Sequence, residues 1–150
     1  MQKITTFLWF DNQAEEAAEF YISLFKDSRV LDVTPGPAGT AMVVTFELAG
    51  QRFIALNGGP EFKFNEAVSL YVDCDSQEEV DELWAKLTEG GEESQCGWLK
   101  DRYGLSWQII PTRLQELLGD PDPERAQRAM KAMLGMRKID VRGLEEAAAG

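Results

Sequence analysis

The sequence predicts an α+β fold in which two βαβββ modules are followed by C-terminal helices. A strand-like run, an amphipathic helix and further strands occur twice along the 150 residues, and the two occurrences align as an internal repeat. After Pro111 the pattern is helical only. We expect one domain over residues 1–150, with module one at about 1–60, module two at about 65–111 and a helical extension over 112–150.

The first module opens with an apolar and aromatic run, residues 4–10, which predicts a strand. Asn12 and Glu15 have the spacing of a capping box, and apolar residues then recur at helical spacing. This pattern predicts a helix over about 13–25. A proline- and glycine-rich breaker at 35–39 interrupts the strands that follow. Those strands are predicted over residues 28–34, 40–50 and 52–57.

The second module repeats the pattern from a strand at 67–73. Ser76 and Glu79 form a second capping box, and Gly90 with Gly91 ends the helix. The apolar face of that helix is predicted from Val80, Leu83, Trp84 and Leu87. Two last strands, 93–101 and 105–111, are predicted to join around a turn at 101–104.

The alignment of the modules supports the repeat. Residues 8–11 parallel 70–73, and after one inserted residue 15–16 meet 78–79. A strand match followed by a helix match in the same order indicates that the two modules are copies of one unit.

Two helices are predicted after Pro111, in "TRLQELLG" and "PERAQRAMKAMLGM", and the final "LEEAAAG" predicts a frayed helix. The second helix carries an apolar stripe, which predicts a core or dimer contact rather than a ligand groove. The stripe consists of Ala126, Met130, Met133 and Leu134.

Composition excludes several classes of partner and chemistry. The formal charge of −11 argues against nucleic acid and anionic membrane surfaces, and no apolar run has the ~20 residues of a membrane helix. Cys74 and Cys96 lack CxxC spacing, which predicts reduced thiols in a cytoplasmic protein. Histidine is absent, so His-based acid–base catalysis and His metal ligands are excluded.

Four segments carry a family resemblance: "FDNQAEEAAEFYISLF", "GGPEFKFNEAVSLYV", "QCGWLKDRYGLSWQIIP" and the tail "MLGMRKIDVRGLEEAA". With them the chain resembles, over nearly its whole length, the PhnB-like branch of the vicinal-oxygen-chelate (glyoxalase/bleomycin resistance/dioxygenase) superfamily. The resemblance implies two modules curled into one incomplete barrel around a funnel, with helices outside. It also implies a homodimer.

Strand alternation then predicts which side chains face the funnel. Apolar Leu70, Trp107 and Ile109 are expected to pack on helices, and Ile54 and Leu56 likewise. Their neighbours are left facing inward. The predicted ligand-binding residues are Thr5, Trp9, Asn57, Ser69, Tyr71, Trp98, Ser106 and Gln108.

The resemblance also locates the four metal-ligand positions of the metal-using members. They correspond to Thr5, one residue of 53–55, Ala67 and Gln108, of which only Gln108 is a weak ligand for a divalent ion. We therefore predict no bound metal and no cofactor. Automatic labels of this branch as a methyltransferase find no support, because "PGPAG" does not precede a helix as a cofactor-binding glycine turn does.

Two features near the end of module two allow alternatives. Cys96 is a weak candidate nucleophile, beside the alternative of a small buried side chain, because no histidine activates it. Lys100, Asp101 and Arg102 predict a solvated turn whose aspartate bonds its own backbone. In the alternative, Lys100 or Arg102 draws an anionic ligand to the funnel. Trp98 either stacks on a ligand or packs in the core.

The leading functional hypothesis is a cytoplasmic homodimer that binds a small, partly apolar molecule in a metal-free funnel. Two other hypotheses accompany it. One is a lyase or isomerase of the glyoxalase kind that uses Cys96 or a carboxylate outside the usual positions, and the other is a binding protein that sequesters a cationic drug-like compound. The identity of the ligand and the presence of catalysis are not decided by the sequence.

Overall fold

The structure is a computed structural model that describes residues 2–37 and 41–150. The chain divides into two compact units, Met1–Phe64 and Asn65–Gly150. The second half of the predicted breaker at 35–39 and Thr40, the first residue of the predicted strand 40–50, lie outside the described residues.

The first unit has the predicted β-α-β-β-β order. Its elements are β1 (Thr6–Phe10), α1 (Ala14–Ile22), β2 (Arg29–Pro35), β3 (Ala41–Leu48) and β4 (Gln51–Asn57). The strands lie in the order β1-β4-β3-β2, with β1 and β4 parallel and the other pairs antiparallel. Helix α1 packs on one face of the sheet, where Tyr21 lies 6.4 Å from Phe46 between ring centroids. Both side chains are fully buried.

Helix α1 differs from its prediction at both ends. The Asn12–Glu15 capping box is wrong, because the helix begins at Ala14 and the Asn57 side chain accepts the Ala14 N–H at 2.8 Å. The helix ends at Ile22 rather than near residue 25. The Leu24 N–H donates to the Tyr21 carbonyl, a bond to the third residue back that tightens the chain out of the α-helical pattern.

The predicted facing of β4 is also wrong. Parallel pairing with β1 sets Phe53, Ala55 and Asn57 beside Thr6, Leu8 and Phe10, on the face that α1 covers. Ala55 is fully buried there. Alternation could not reveal this because both faces of β4 carry apolar residues, and the helix covers the face with the small alanine. Asn57 is therefore a helix cap, and its side chain does not face away from α1.

The second unit repeats the topology of the first. Its module consists of β5 (Ser69–Cys74), α2 (Gln77–Thr88), β6 (Glu92–Glu93), β7 (Trp98–Lys100) and β8 (Ser106–Pro111). The sheet order β5-β8-β7-β6 matches the first sheet strand for strand. The Ser76–Glu79 capping box is confirmed: Ser76 Oγ accepts the Glu79 N–H at 3.2 Å, and Glu79 Oε1 accepts the Asp75 N–H at 2.8 Å. The predicted apolar face of α2 is buried.

The predicted strand 93–101 is interrupted. Its paired residues belong to β6 and β7, and the chain between them turns at Cys96 and Gly97, whose φ angles are +58° and +86°. A left-handed pair of residues cannot continue an extended strand. The predicted hairpin around 101–104 is confirmed by the antiparallel pairing of β7 with β8.

The C-terminal extension forms α3 (Thr112–Leu118), α4 (Pro123–Leu134) and α5 (Val141–Ala149). Helix α5 is not frayed, because Leu144 and Ala148 are buried in a shared core and Asp140 caps its first turn. The predicted stripe on α4 divides: Met133 packs against this core, whereas Met130 and Leu134 are exposed. The core consists of Ile110, Leu114, Leu117, Ala129, Ile139, Leu144 and Ala148.

Across the described ranges 2–37 and 41–150, no helix is both long enough and apolar enough to cross a membrane.

Candidate functional site

The sheet of the second unit has one face covered by α2 and one face turned away from it. Leu99, Trp107 and Ile109 are buried on the covered face. Strand register sets six side chains on the other face in two rows, each row crossing β5, β8 and β7. We call these six residues the platform: Tyr71, Gln108 and Trp98 in the first row, and Ser69, Ser106 and Lys100 in the second.

The first row places an amide between two aromatic rings. Gln108 pairs in register with Tyr71 on one side and Trp98 on the other. Its Nε2 donates to Ser69 Oγ at 3.0 Å, which ties the two rows together. Trp98 is half-buried and Tyr71 is 45% exposed, so both rings present surface to solvent.

Helix α3 fixes the phenol of the platform. Gln115 Nε2 donates to the Tyr71 hydroxyl and lies 3.5 Å from Asp73 Oδ1. Sequence reasoning missed Gln115 because it is 44 residues away from Tyr71 along the chain. Nothing in the local pattern of α3 marks this glutamine out from other exposed helix residues.

The second row combines a buried hydroxyl with an ion pair. Ser106 is 1% exposed, and its Oγ has no hydrogen-bond partner among the residues that the structure describes. Lys100 forms an ion pair with Glu66, which precedes β5. The hydrogen bond from Lys100 lowers the pKa of the Glu66 carboxyl, and the same bond raises the pKa of the Lys100 ammonium.

The turn beside the platform is more buried than predicted. Asp101 bonds its own backbone as expected, with Oδ1 accepting the N–H groups of Tyr103 at 2.8 Å and Leu105 at 3.1 Å. It is 2% exposed rather than solvated, because Oδ2 also accepts the indole N–H of Trp107 at 2.9 Å. Asp101 therefore anchors the hairpin to the core and supplies no charge to a ligand.

The backbone at Cys96 forms hydrogen bonds with the C-terminal extension. Its N–H donates to the Met136 carbonyl, and the Gly97 N–H donates to the Arg137 carbonyl, both at 2.8 Å. This contact explains the left-handed backbone of the pair. A reactive thiol at Cys96 stays a prediction.

Cys74 is fully buried at the end of β5. Its burial first, then the nearby carboxylates of Glu79, Asp73 and Asp75, raise the pKa of the thiol to about 12. A thiol with this pKa stays protonated at neutral pH and is a poor nucleophile.

Besides Asn57, which caps α1, two predicted site residues belong to the first unit. Thr5 is half-buried just before β1. Trp9 is held by the loop after β4: its Nε1 donates to the Gly59 carbonyl at 2.9 Å, and its ring meets Phe62 edge-on at 4.9 Å. Their roles in ligand binding stay predictions.

The positions that match metal ligands in the superfamily do not fit a divalent ion. Ala67 has no donor side chain, Ala55 lies under α1, and the Gln108 amide is bonded to Ser69. Within residues 2–37 and 41–150, no three His, Cys, Asp or Glu side chains lie close enough together to hold a metal. The donor set is suited to hydrogen bonds with an organic ligand.

A family model described as 3-demethylubiquinone-9 3-methyltransferase matches residues 2–110, which is well over half of the chain. A solved PhnB protein from Bacillus cereus is 38% identical, with a TM-score of 0.70 over 73% of this chain and 99% of that one. The chain belongs to the PhnB-like family. This places it in the glyoxalase/bleomycin resistance superfamily, as the sequence motifs predicted.

More distant solved structures share the fold. Protein PA1353 from Pseudomonas aeruginosa is 20% identical, with a TM-score of 0.62 over 74% of this chain and 98% of that one. The fosfomycin resistance protein FosX from Listeria monocytogenes is 14% identical, with a TM-score of 0.55 over 79% and 98%. No curated protein matches the sequence.

Proposed function

We propose that this PhnB-like protein binds a small, partly apolar molecule on the platform without a metal ion. The observation that carries the proposal is the first row, in which the Gln108 amide lies between the rings of Tyr71 and Trp98. Ligand sites are mostly apolar with a few placed polar groups, and this row has that composition. Within the first unit, the superfamily resemblance makes Thr5 and Trp9 candidate ligand-binding residues in their own right.

The platform supports binding better than catalysis. Its six groups are an amide, an indole, a phenol, two hydroxyls and an ammonium that is already paired with a carboxylate. The platform contains no carboxylate and no imidazole, the side chains that most often act in general acid–base catalysis. Binding, including sequestration of a drug-like compound, therefore fits the platform better than lyase or isomerase chemistry.

The methyl transfer named in the family description finds no support in the fold. Methyltransferases of the usual kind bind their cofactor at a glycine-rich turn between a strand and a helix. Here β1 leads to α1 through residues 11–13 and β5 leads to α2 through 75–76, and neither connection contains glycine. We favour ligand binding over methyl transfer for this reason.

Equilibrium dialysis with 2-naphthamide, a flat neutral probe, tests the proposal. Trp98→Ala removes one ring of the first row, and we expect it to weaken binding about tenfold because aromatic stacking is lost. Leu134→Ala removes an equally apolar side chain from the exposed face of α4 and is expected to change nothing. Equal affinity of Trp98→Ala and the wild type, or no binding by the wild type, contradicts the proposal.

Metal analysis of the same preparation tests the metal-free part. We expect no stoichiometric divalent ion, and we expect dialysis against a chelator to leave 2-naphthamide binding unchanged. A tightly held ion whose removal abolishes binding overturns this part.

The family resemblance also leads us to propose a cytoplasmic homodimer. Sedimentation equilibrium of the purified protein tests the dimer, and a monomer mass over the whole concentration range rejects it.

A further inference from the structure

We propose that the second row of the platform, Ser69, Ser106 and Lys100, binds a carboxylate of the ligand. The apolar body of the ligand then lies on the first row. This inference rests on the proposed function and makes it more specific: the ligand class is a small aromatic carboxylic acid.

Lys100 already holds a carboxylate. Glu66 lies before β5, its side chain is 63% exposed, and its carboxylate contacts the Lys100 ammonium. Glu66 thus shows where an anionic oxygen is stabilised on this face. Exposed ion pairs are weak. A ligand carboxylate that also accepts hydrogen bonds from other protein groups can therefore replace Glu66 at Lys100.

Ser106 supplies an unused donor at the same place. It is adjacent to Lys100 on one side and Ser69 on the other by strand register. Its hydroxyl is buried and has no partner among the described residues, an arrangement that is unfavourable until an acceptor arrives. A ligand carboxylate that pairs with Lys100 therefore lies beside this hydroxyl, because the two residues are direct neighbours in register.

Ser69 completes the set of donors. Its Oγ accepts the hydrogen bond from Gln108, which leaves the hydroxyl hydrogen of Ser69 to donate. Two hydroxyl donors and one ammonium match the two oxygens of a carboxylate, which can accept several hydrogen bonds.

The distance between the rows sets the shape of the ligand. Residues two apart on a strand are about 7 Å apart, which separates Lys100 from Trp98 and Ser106 from Gln108. A carboxylate attached directly to an aromatic ring spans this distance, so one end meets the donors while the ring lies beside Trp98 and Gln108.

Glu66 competes with a ligand carboxylate for the Lys100 ammonium. The chain carries a formal charge of −11, and Glu92 also contributes to the field that raises the pKa of Lys100. Removing the Glu66 charge frees Lys100 and removes a repulsion, so Glu66→Gln is expected to strengthen binding of a carboxylate.

The experiment compares 2-naphthoate with 2-naphthamide by equilibrium dialysis on the full chain. We expect the wild type to bind the naphthoate about tenfold more tightly, because a charge-assisted hydrogen bond to Lys100 replaces a neutral one. Lys100→Met is expected to abolish this preference, and Ser106→Ala to reduce it about threefold. Glu66→Gln is expected to tighten naphthoate binding about threefold and to leave the amide unchanged.

Glu82→Gln is the matched control, because Glu82 forms a similar exposed ion pair with Lys86 on α2, away from the platform. If Glu66→Gln behaves like this control, or Lys100→Met keeps the preference, the carboxylate site is refuted. If the amide binds through Trp98 but the naphthoate binds no better, only this inference fails. If neither probe binds, the proposed function fails with it.

Discussion

The two modules share one topology but differ on the sheet face turned away from the helix. In the first sheet the strands β1 and β4 place Phe7, Trp9, Ile54 and Leu56 on this face, all apolar, and the polar residues Thr45, Glu47 and Arg52 lie further along it. In the second sheet it carries the platform, which is rich in hydroxyl, amide and charged groups. The helix-covered faces are mainly apolar in both, although the first also carries Thr6 and Asn57. A repeat therefore preserves the residues that pack, while the other face is free to acquire separate chemistry.

The hairpins before the last strands differ as well. In the first unit, β3 and β4 join through the two-residue turn Ala49-Gly50, both with positive φ. In the second unit, β7 and β8 join through a longer loop held by the buried Asp101 carboxylate. The first hairpin is defined by backbone conformation and the second by a side chain that reaches into the core.

Replacing Asp101 is expected to produce the largest effect. Asp101→Ala leaves the Trp107 indole N–H and two backbone N–H groups without their acceptor, at a cost of about 3–5 kcal/mol in the free energy of unfolding. Urea denaturation measures this change.

Glu47→Ala in the first unit is the control for loss of a carboxylate from a sheet. Glu47 pairs with Arg29 at 3.2 Å on the surface, and its removal is expected to cost less than about 1 kcal/mol. Similar losses for both variants contradict the claim that only the second hairpin depends on a buried charge.

Two glycines with positive φ, Gly97 in the second unit and Gly50 in the first, differ in how closely other atoms surround them. At Gly97, with φ +86°, an added Cβ lies 2.7 Å from Ile110 Cδ1 and 3.1 Å from Ile139 Cγ1. We expect Gly97→Ala to cost about 2–4 kcal/mol, because backbone strain adds to the clash and the docking of the extension is disturbed. Gly50 has φ +81° with no atom within 4 Å, so Gly50→Ala carries strain alone, about 1 kcal/mol. Thermal unfolding of both variants decides whether the crowding matters.

The part of the fold that sequence predicts well is local. Ser76 and Glu79 lie three residues apart, so a pattern search finds their capping box, and apolar periodicity finds the buried face of α2. Module order and family follow from the same local signals. The break at Cys96 was missed although Gly97, the next residue, is the local signal that could have indicated a left-handed backbone.

The site was predicted only in part because its geometry depends on distant pairings. Register between β5, β8 and β7 sets Ser69, Gln108 and Trp98 on one face; alternation indicated this facing for Ser69 and Gln108 but left that of Trp98 open. The assignment of Asn57 was wrong because its partner, Ala14, is 43 residues away. Gln115 was missed for the same reason, since contacts at such separation leave no trace in a single sequence.

The two modules also differ in how their first helix is capped: α1 is capped by a residue distant in sequence and α2 by a residue next to it. Asn57→Ala removes the acceptor of the Ala14 N–H in the first unit, and Ser76→Ala removes the acceptor of the Glu79 N–H in the second. Each is expected to cost about 1 kcal/mol by denaturant unfolding, the usual value of a helix cap. A cost near zero for Asn57→Ala contradicts its role as a cap and reopens its assignment to the other face.

The smallest expected effect concerns the residue at the end of the first strand in each module and its contribution to the pH dependence of stability. By the repeat, Cys74 at the end of β5 corresponds to Asn12 just after β1, and of the two only the cysteine is buried. Burial raises the pKa of the Cys74 thiol from its ordinary value of 9.0 to about 12. Above pH 9 the unfolded chain releases this proton while the folded chain retains it, so the stability that the neutral thiol contributes is lost as the pH rises from 9 to 12. Cys74→Ala has no thiol to titrate at this position. Between pH 9 and 10 its unfolding free energy is therefore expected to decrease by about 1 kcal/mol less than that of the wild type. Parallel curves for Cys74→Ala and the wild type across this range contradict a buried, neutral thiol.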